Sequence, residues 1–191
     1  MSGPFDVLES HVAFTGRLLE VVVDTVRLPD GREMTWEVVR HPGAAAVVPV
    51  DDDGRVLLVR QGRHTVDARL LEIPAGKLDV DGEDPSECAR RELEEETGYR
   101  CTTLHPLGSF LSSPGFSDER IHLFLATGLA FVGRPAGTDE GDDIAVEWLP
   151  LPDAVAAVRS GAIEDAKSAL GVLLAAGHEA VPASQNGRSL P

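Results

Sequence analysis

The sequence predicts an α+β protein, a mixed β-sheet sandwiched between helices, with an N-terminal β-sheet extension. Three observations predict it. Stretches of apolar-polar alternation and short apolar runs, the signatures of half-buried and buried strands, recur between residues 12 and 149. One capped helix, 84–98, interrupts them, and two further helices follow the last strand. Strand runs broken by a central helix and closed by others define the α+β class.

Residues 1–42 form the extension. Segments 12–14 and 18–26 read as strands, Leu28-Pro29-Asp30-Gly31-Arg32 as a turn, and 34–40 as the returning strand. A hairpin this small needs a packing partner, either the rest of the chain or a second subunit. His41-Pro42-Gly43 breaks the pattern and opens the main domain, 43–180. There the continuous apolar run 44–50 is a buried strand. Asp51-Asp52-Asp53-Gly54 is an acidic triplet that suggests a cation site, but between two strands a turn explains it better. Residues 55–60 are the partner strand, 61–69 a loop, and 70–73 a short strand leading into Pro74-Ala75-Gly76.

Asp84-Pro85-Ser86-Glu87 starts the central helix. Asp84 caps the first amides, Pro85 suits the first helical position, and Glu87 can complete a capping box. Gly98 ends it, because glycine tolerates the left-handed geometry of a helix C-terminus. Segments 104–111 and 121–127 are strands around a loop, 112–120. Segment 133–143, rich in Gly, Pro and acids, is a mobile surface loop. A strand at 144–149 precedes helices at 152–160 and 163–176, and the polar tail 181–191 reads as disordered.

With 191 residues, the chain is long enough for one full core plus a small appendage. Its net charge of -15 argues against binding a nucleic-acid backbone. An anionic small-molecule substrate would need cations and a few placed arginines to overcome that field, which hints at metal dependence. Cys88 and Cys101 are the only cysteines, so a disulfide framework is not expected and a cytoplasmic setting fits. There is no leader and no apolar run of membrane-spanning length, so no membrane role is expected.

The chemistry lies in the central helix. At about 100° per residue, Glu92, Glu95 and Glu96 share one face while Glu94 points away. Like charges at these spacings repel by a few tenths of a kcal/mol per pair. A divalent cation reverses that penalty, and carboxylates are hard donors suited to Mg²⁺ or Mn²⁺. Taken alone, such a run most often faces water.

Its surroundings change that weighting. Glu83, Arg91, Glu92, Leu93, Glu95, Glu96, Gly98 and Tyr99 stand at the spacing E-x7-R-E-U-x-E-E-x-G-U, with U a bulky apolar residue. The sequence thereby resembles the Nudix hydrolases. One departure is that Gly76 and Glu83 are separated by six residues where the family box has five. The extra residue falls in the loop before the helix, where insertions are tolerated best.

The resemblance implies metal-dependent diphosphate hydrolysis on a mixed sheet between helices. It implies that the Ala75 carbonyl joins Glu92, Glu95 and Glu96 as metal ligands. Arg91 reads as an orienting group paired with a neighbouring carboxylate. Within the family the chain looks most like the ADP-ribose pyrophosphatases. That likeness rests on Pro114 about sixteen positions past Gly98, on Glu37 to Gly43, on the length and, more weakly, on 163–168. It implies a general base in the acidic loop 139–144, with Glu140 as base and Asp142 as a further metal ligand, or the reverse. It also implies that Glu119 takes part in the site and that Arg40 and Arg63 hold phosphate, each alternatively a surface ion pair. Trp36 either stacks on adenine or serves a core or a subunit interface. In that branch a comparable N-terminal sheet helps form a dimer, so the resemblance also implies a homodimer. The expected reaction converts ADP-ribose to AMP and ribose 5-phosphate with Mg²⁺, or Mn²⁺, as cofactor. The alternatives are another nucleoside diphosphate sugar, a nucleoside triphosphate, or a sensor that binds without turnover.

Overall fold

A computed structural model describes residues 4–135 and 144–181. The chain forms two compact units, Met1–Gly43 with Phe110–Ile121, and Ala44–Ser109 with His122–Pro191.

The first unit is built on an antiparallel sheet of β1 (Asp6–Thr15), β2 (Glu20–Arg27) and β3 (Glu33–Arg40), in the order β1-β2-β3. Only the central strand buries side chains. Val22, Asp24 and Val26 alternate toward one face, as the pleat requires, whereas β1 is exposed throughout. β1 is longer than the expected 12–14 because it pairs with β2 across two irregularities, between Val7 and Glu9 and between Val12 and Phe14. The segment around 116–118 belongs to this unit because it adds to the far edge. Val39 donates to the Phe116 carbonyl at 2.7 Å, and Asp118 donates back to Val39 at 3.2 Å.

The second unit holds β4 (Ala44–Pro49), β5 (Arg55–Arg63), a 3-10 turn (His64–Val66), β6 (Ala68–Glu72) and β7 (Ala75–Lys77). Helix α1 (Pro85–Thr97) follows, then β8 (Tyr99–Leu111), β9 (Arg120–Phe131), β10 (Ala145–Pro150), α2 (Leu151–Ser160) and α3 (Ala166–Ala176). The tip joining β8 and β9 lies in the first unit. Two sheets result, ordered β7-β4-β9-β8 and β10-β5-β6. The run 44–50 is the buried strand that its composition predicts: every residue of β4 is buried. α1 packs Cys88, Ala89 and Leu93 against Ala45, Val47 and Ala126. No described helix is long and apolar enough to cross a membrane.

Three departures from the sequence reading matter for the site. Residues 61–63, expected in a loop, continue β5, with Gln61 opposite Leu70, Gly62 opposite Arg69 and Arg63 opposite Ala68. The connection closes within a few residues because Asp67 takes the left-handed conformation, φ 51°. Residues 75–77, expected as a connector, form an edge strand paired with β4, placing Ala75 opposite Ala46 and Gly76 opposite Ala45. The last helix starts at Ala166 instead of 163, because Asp165 turns its carboxylate back onto the Ser168 amide and caps it there.

Candidate active site

α1 begins where its capping residues predict. The Asp84 carboxylate accepts from the Ser86 amide at 2.8 Å, Pro85 occupies the first turn, and Gly98 ends the helix at φ 76°. The predicted faces also appear. Glu92 and Glu96 are buried, 9% and 3% exposed, while Glu94 turns outward to a bidentate pair with Arg100, both contacts 2.7 Å.

The buried carboxylates gather at β7. Glu96 Oε2 accepts from the Ala75 amide at 3.2 Å. Glu92 lies against the main chain of Gly76 so closely that a Cβ there would sit 1.8 Å from Glu92 Oε1. Gly76 is therefore required by close approach. Cys88 holds the same strand from below, its thiol directed at the Lys77 carbonyl at 3.4 Å. Burial pushes that thiol up to about 12, which makes it a packing group and no nucleophile.

Arg91 orients the cluster. Its Nε and Nη2 donate to the two Glu83 oxygens at 2.9 and 3.0 Å. Its Nη1 donates to Glu92 Oε1 at 2.5 Å and to Glu95 Oε2 at 3.2 Å. Glu83 above all, then Glu92, holds the guanidinium charged, although burial opposes them. The inserted loop residue thus leaves Glu83 within bidentate reach of Arg91. Glu95 is drawn to the arginine side of the stripe, while Glu92 and Glu96 touch β7.

The family implies a divalent cation, and the donor set can be tested for it. Among the described residues no group of three His, Cys, Asp or Glu side chains is gathered as a ready ligand cage. Yet two buried carboxylates meet a strand edge whose carbonyls are further hard oxygens, in a cradle that a single Cβ would fill. These residues fit a hard divalent ion.

A second charged cluster forms around Glu72 at the end of β6; from the sequence, Arg63 and, more weakly, 163–168 were noted, but Glu72 was not. Glu72, 1% exposed, receives Arg63 Nε at 2.7 Å and Nη2 at 2.8 Å, and also pairs with Lys167. Lys167 reaches Asp165 Oδ2 at 2.8 Å, and the same oxygen accepts from the Ser168 hydroxyl at 2.5 Å. The signal was present: Glu72 is a lone charge between Leu71 and Ile73 in a short apolar strand. Such a residue is seldom buried unless paired.

Burial raises the Glu72 pKa, but Arg63 and Lys167 more than offset this and hold it at about 2. In the unfolded chain it returns to the ordinary 4.5, so the unfolded state binds the proton first as pH falls. Its stabilising contribution is therefore complete above about pH 4.5 and lost as pH falls through about 2. Acid unfolding followed by circular dichroism should show that slope in the wild type and a flatter one in Glu72→Gln. Equal slopes would exclude Glu72 as its source.

The remaining candidates divide by unit. Arg63 lies in the second unit, with Nε and Nη2 committed to Glu72. Arg40, Trp36, Pro114 and Glu119 lie in the first. Arg40 is held between Asp118, 3.1 Å, and the buried Asp24, 3.3 Å. Trp36 is 37% exposed on β3, which excludes the core reading, and meets the Phe5 ring edge-on at 4.8 Å. Pro114 is exposed, and Glu119 Oε1 lies 3.5 Å from His41 Nδ1. Glu140 and Asp142 lie outside the described residues.

The site is a capped helix that presents buried carboxylates to a strand edge, with an arginine bracing them. Residues 39–169 match the NUDIX domain, and residues 5–39 match the nucleoside diphosphate sugar hydrolase N-terminal domain. The chain belongs to the Nudix family and is a Nudix hydrolase. Members of that family typically depend on a divalent metal. An ADP-ribose pyrophosphatase of Mycobacterium tuberculosis is 43% identical over 169 residues, 88% of this chain and 82% of the relative. A methanol dehydrogenase activator of Bacillus methanolicus is 42% identical over 165 residues, 86% and 89% of the two chains. The crystal structure of an ADP compounds hydrolase superposes with a TM-score of 0.79 at 21% identity, covering 91% of this chain and 93% of the other.

Proposed function

We propose that this chain hydrolyses the diphosphate of ADP-ribose to AMP and ribose 5-phosphate with Mg²⁺, Mn²⁺ serving in its place. The observation that carries the reading is the placement of Glu92 and Glu96 against β7 with Arg91 bracing the stripe. The ADP-ribose pyrophosphatase relative supports the substrate. Ala75, Glu92, Glu95, Glu96 and Asp142 would hold the cation, which when bound would offset charge on the diphosphate and lower the pKa of a water. Arg91 fixes the rotamers of Glu92 and Glu95, so the carboxylates are oriented before substrate arrives. Glu140 takes the proton from the attacking water. On the subfamily resemblance, Arg40 and Arg63 are assigned to phosphate, Trp36 to the base, and Pro114 and Glu119 to the substrate.

Product analysis tests the substrate. With Mg²⁺ and a panel of ADP-ribose, other nucleoside diphosphate sugars, dinucleotides and nucleoside triphosphates, AMP should form fastest from ADP-ribose and chelator should abolish it. Preference for another diphosphate sugar is the rival that the N-terminal domain match favours, and it would discard the ADP-ribose assignment. Tight binding without any hydrolysis would instead make the protein a sensor. In the same assay, a mild effect of Glu140→Gln beside a severe one of Asp142→Asn would move the base to Asp142.

The homodimer is part of this proposal. Val7, Val12, Phe14, Met34 and Trp36 leave the β1–β3 sheet with exposed apolar side chains, the kind of surface that a second copy covers. A monomeric mass by light scattering at micromolar concentration would overturn it.

A further inference from the structure

Apart from Arg63, the buried cluster around Glu72 has no place in the reaction as described, yet its bonds lead to the chain that enters β7. Four consecutive residues leading into β7 are each anchored by a different group. Glu72 is held by Arg63 from β5 and Lys167 from α3. The Ile73 amide donates to Ser168 Oγ at 2.9 Å. The Pro74 carbonyl accepts from Val47 of β4 at 2.9 Å, and the Ala75 amide donates to Glu96 at 3.2 Å.

α3 sits close enough to enforce this. A Cβ on Gly171 would lie 3.0 Å from both Ile73 Cδ1 and Val48 Cγ2, so the helix has little room to shift toward the strand. Ser168 is fully buried, and its hydroxyl is directed by Asp165, which caps the same helix and binds Lys167. Glu72 first, then Glu96 and Asp165, raise the Arg63 pKa, so the two clusters also share an electrostatic field.

We propose that Ser168, backed by Asp165 and Lys167, is a positioning residue that fixes the main-chain course of 72–75, so that the Ala75 carbonyl and Glu96 meet the same cation. This rests on the metal ligands proposed above. Ser168 touches neither metal nor substrate. It acts through Ile73, two residues before Ala75, and groups that orient ligands in this way typically change metal affinity about 10- to 100-fold when removed.

The test is Mn²⁺ binding to the substrate-free protein, read by electron paramagnetic resonance well below the unfolding temperature. Ser168→Ala should weaken the Kd by about 10-fold, and Ser168→Thr, which keeps the hydroxyl, should restore it. In turnover assays the Ser168→Ala defect should shrink as metal is raised, with KM for the substrate at saturating metal little changed. Should Ser168→Ala fail to fold, Asp165→Asn, which keeps the capping oxygen but loses the charge facing Lys167, should weaken Mn²⁺ in the same direction. Glu96→Gln separates the two ideas. Unchanged Mn²⁺ affinity in Glu96→Gln would sink the metal reading itself. Lost affinity there, with wild-type affinity in folded Ser168→Ala or Asp165→Asn, would overturn the positioning role alone.

Discussion

Glu96→Gln is expected to lower kcat by about 10³-fold, equivalent to ~4 kcal/mol of transition-state stabilisation, with almost no change in Tm. Both halves follow from geometry. The side chain is 3% exposed and accepts a bond from the Ala75 amide. A glutamine oxygen can keep that bond and the same shape. What it removes is the negative charge, whose loss costs most if a cation is to be held there. Steady-state kinetics with Mg²⁺ and a thermal melt decide it. Activity within a few-fold of wild type would remove Glu96 from the metal site, whereas a large fall in Tm would make its role structural.

Gly76→Ala is expected to be nearly as damaging, although it adds only one methyl group. The new Cβ would fall 1.8 Å from Glu92 Oε1 and 2.6 Å from Glu92 Cγ, so the whole end of the side chain must leave. The strand cannot retreat at low cost, because Gly76 is paired with the fully buried Ala45 of β4. Expelling Glu92 also frees Arg91 Nη1 from its 2.5 Å contact and loosens Glu95 with it. A misplaced ligand of this kind costs about 10²-fold in kcat/KM, and overpacking adds roughly 1–3 kcal/mol of destabilisation. Kinetics and a denaturant melt on the same variant separate the two. Loss of stability with kcat/KM within two-fold would show that Glu92 does not act at the reacting centre.

Helix α1 was legible in the sequence almost to the residue, because its information is local. Asp84 and Gly98 specify the ends, and a rotation of about 100° per residue separates Glu94 from Glu92 and Glu96. Strand β4 was equally plain, since a seven-residue apolar run, 44–50, has few other uses. Strands β1 and β7 were less so. β7 is three residues long, one of them Gly76, and it exists only because β4 offers an edge. All of β1 is exposed, so no burial imposes a hydrophobic pattern on it, and pairing with β2 extends it.

For the site, the stripe of carboxylates and the bracing role of Arg91 could be read from spacing, since both lie on one helix. The partner of Arg63 could not. Arg63 and Glu72 are neither helical neighbours nor an expected strand pair, and their bidentate contact depends on β5 running on to residue 63. Lys167 and Ser168 are farther still, 95 residues from Glu72 and Ile73 respectively, and no local rule joins them.

By itself, the sequence determined the class of the protein: the box residues, their helical face, and the acidic donors that set the chemistry. Local sterics and charge suffice for that, because caps, turns and helical periodicity act over a few residues. Only the tertiary structure decided which carboxylates are buried, that Gly76 must be bare for Glu92 to reach the strand, and that α3 anchors the chain entering β7. Those are contacts between distant segments. Their strength comes from burial in a low-dielectric interior, which exists only once the chain has folded.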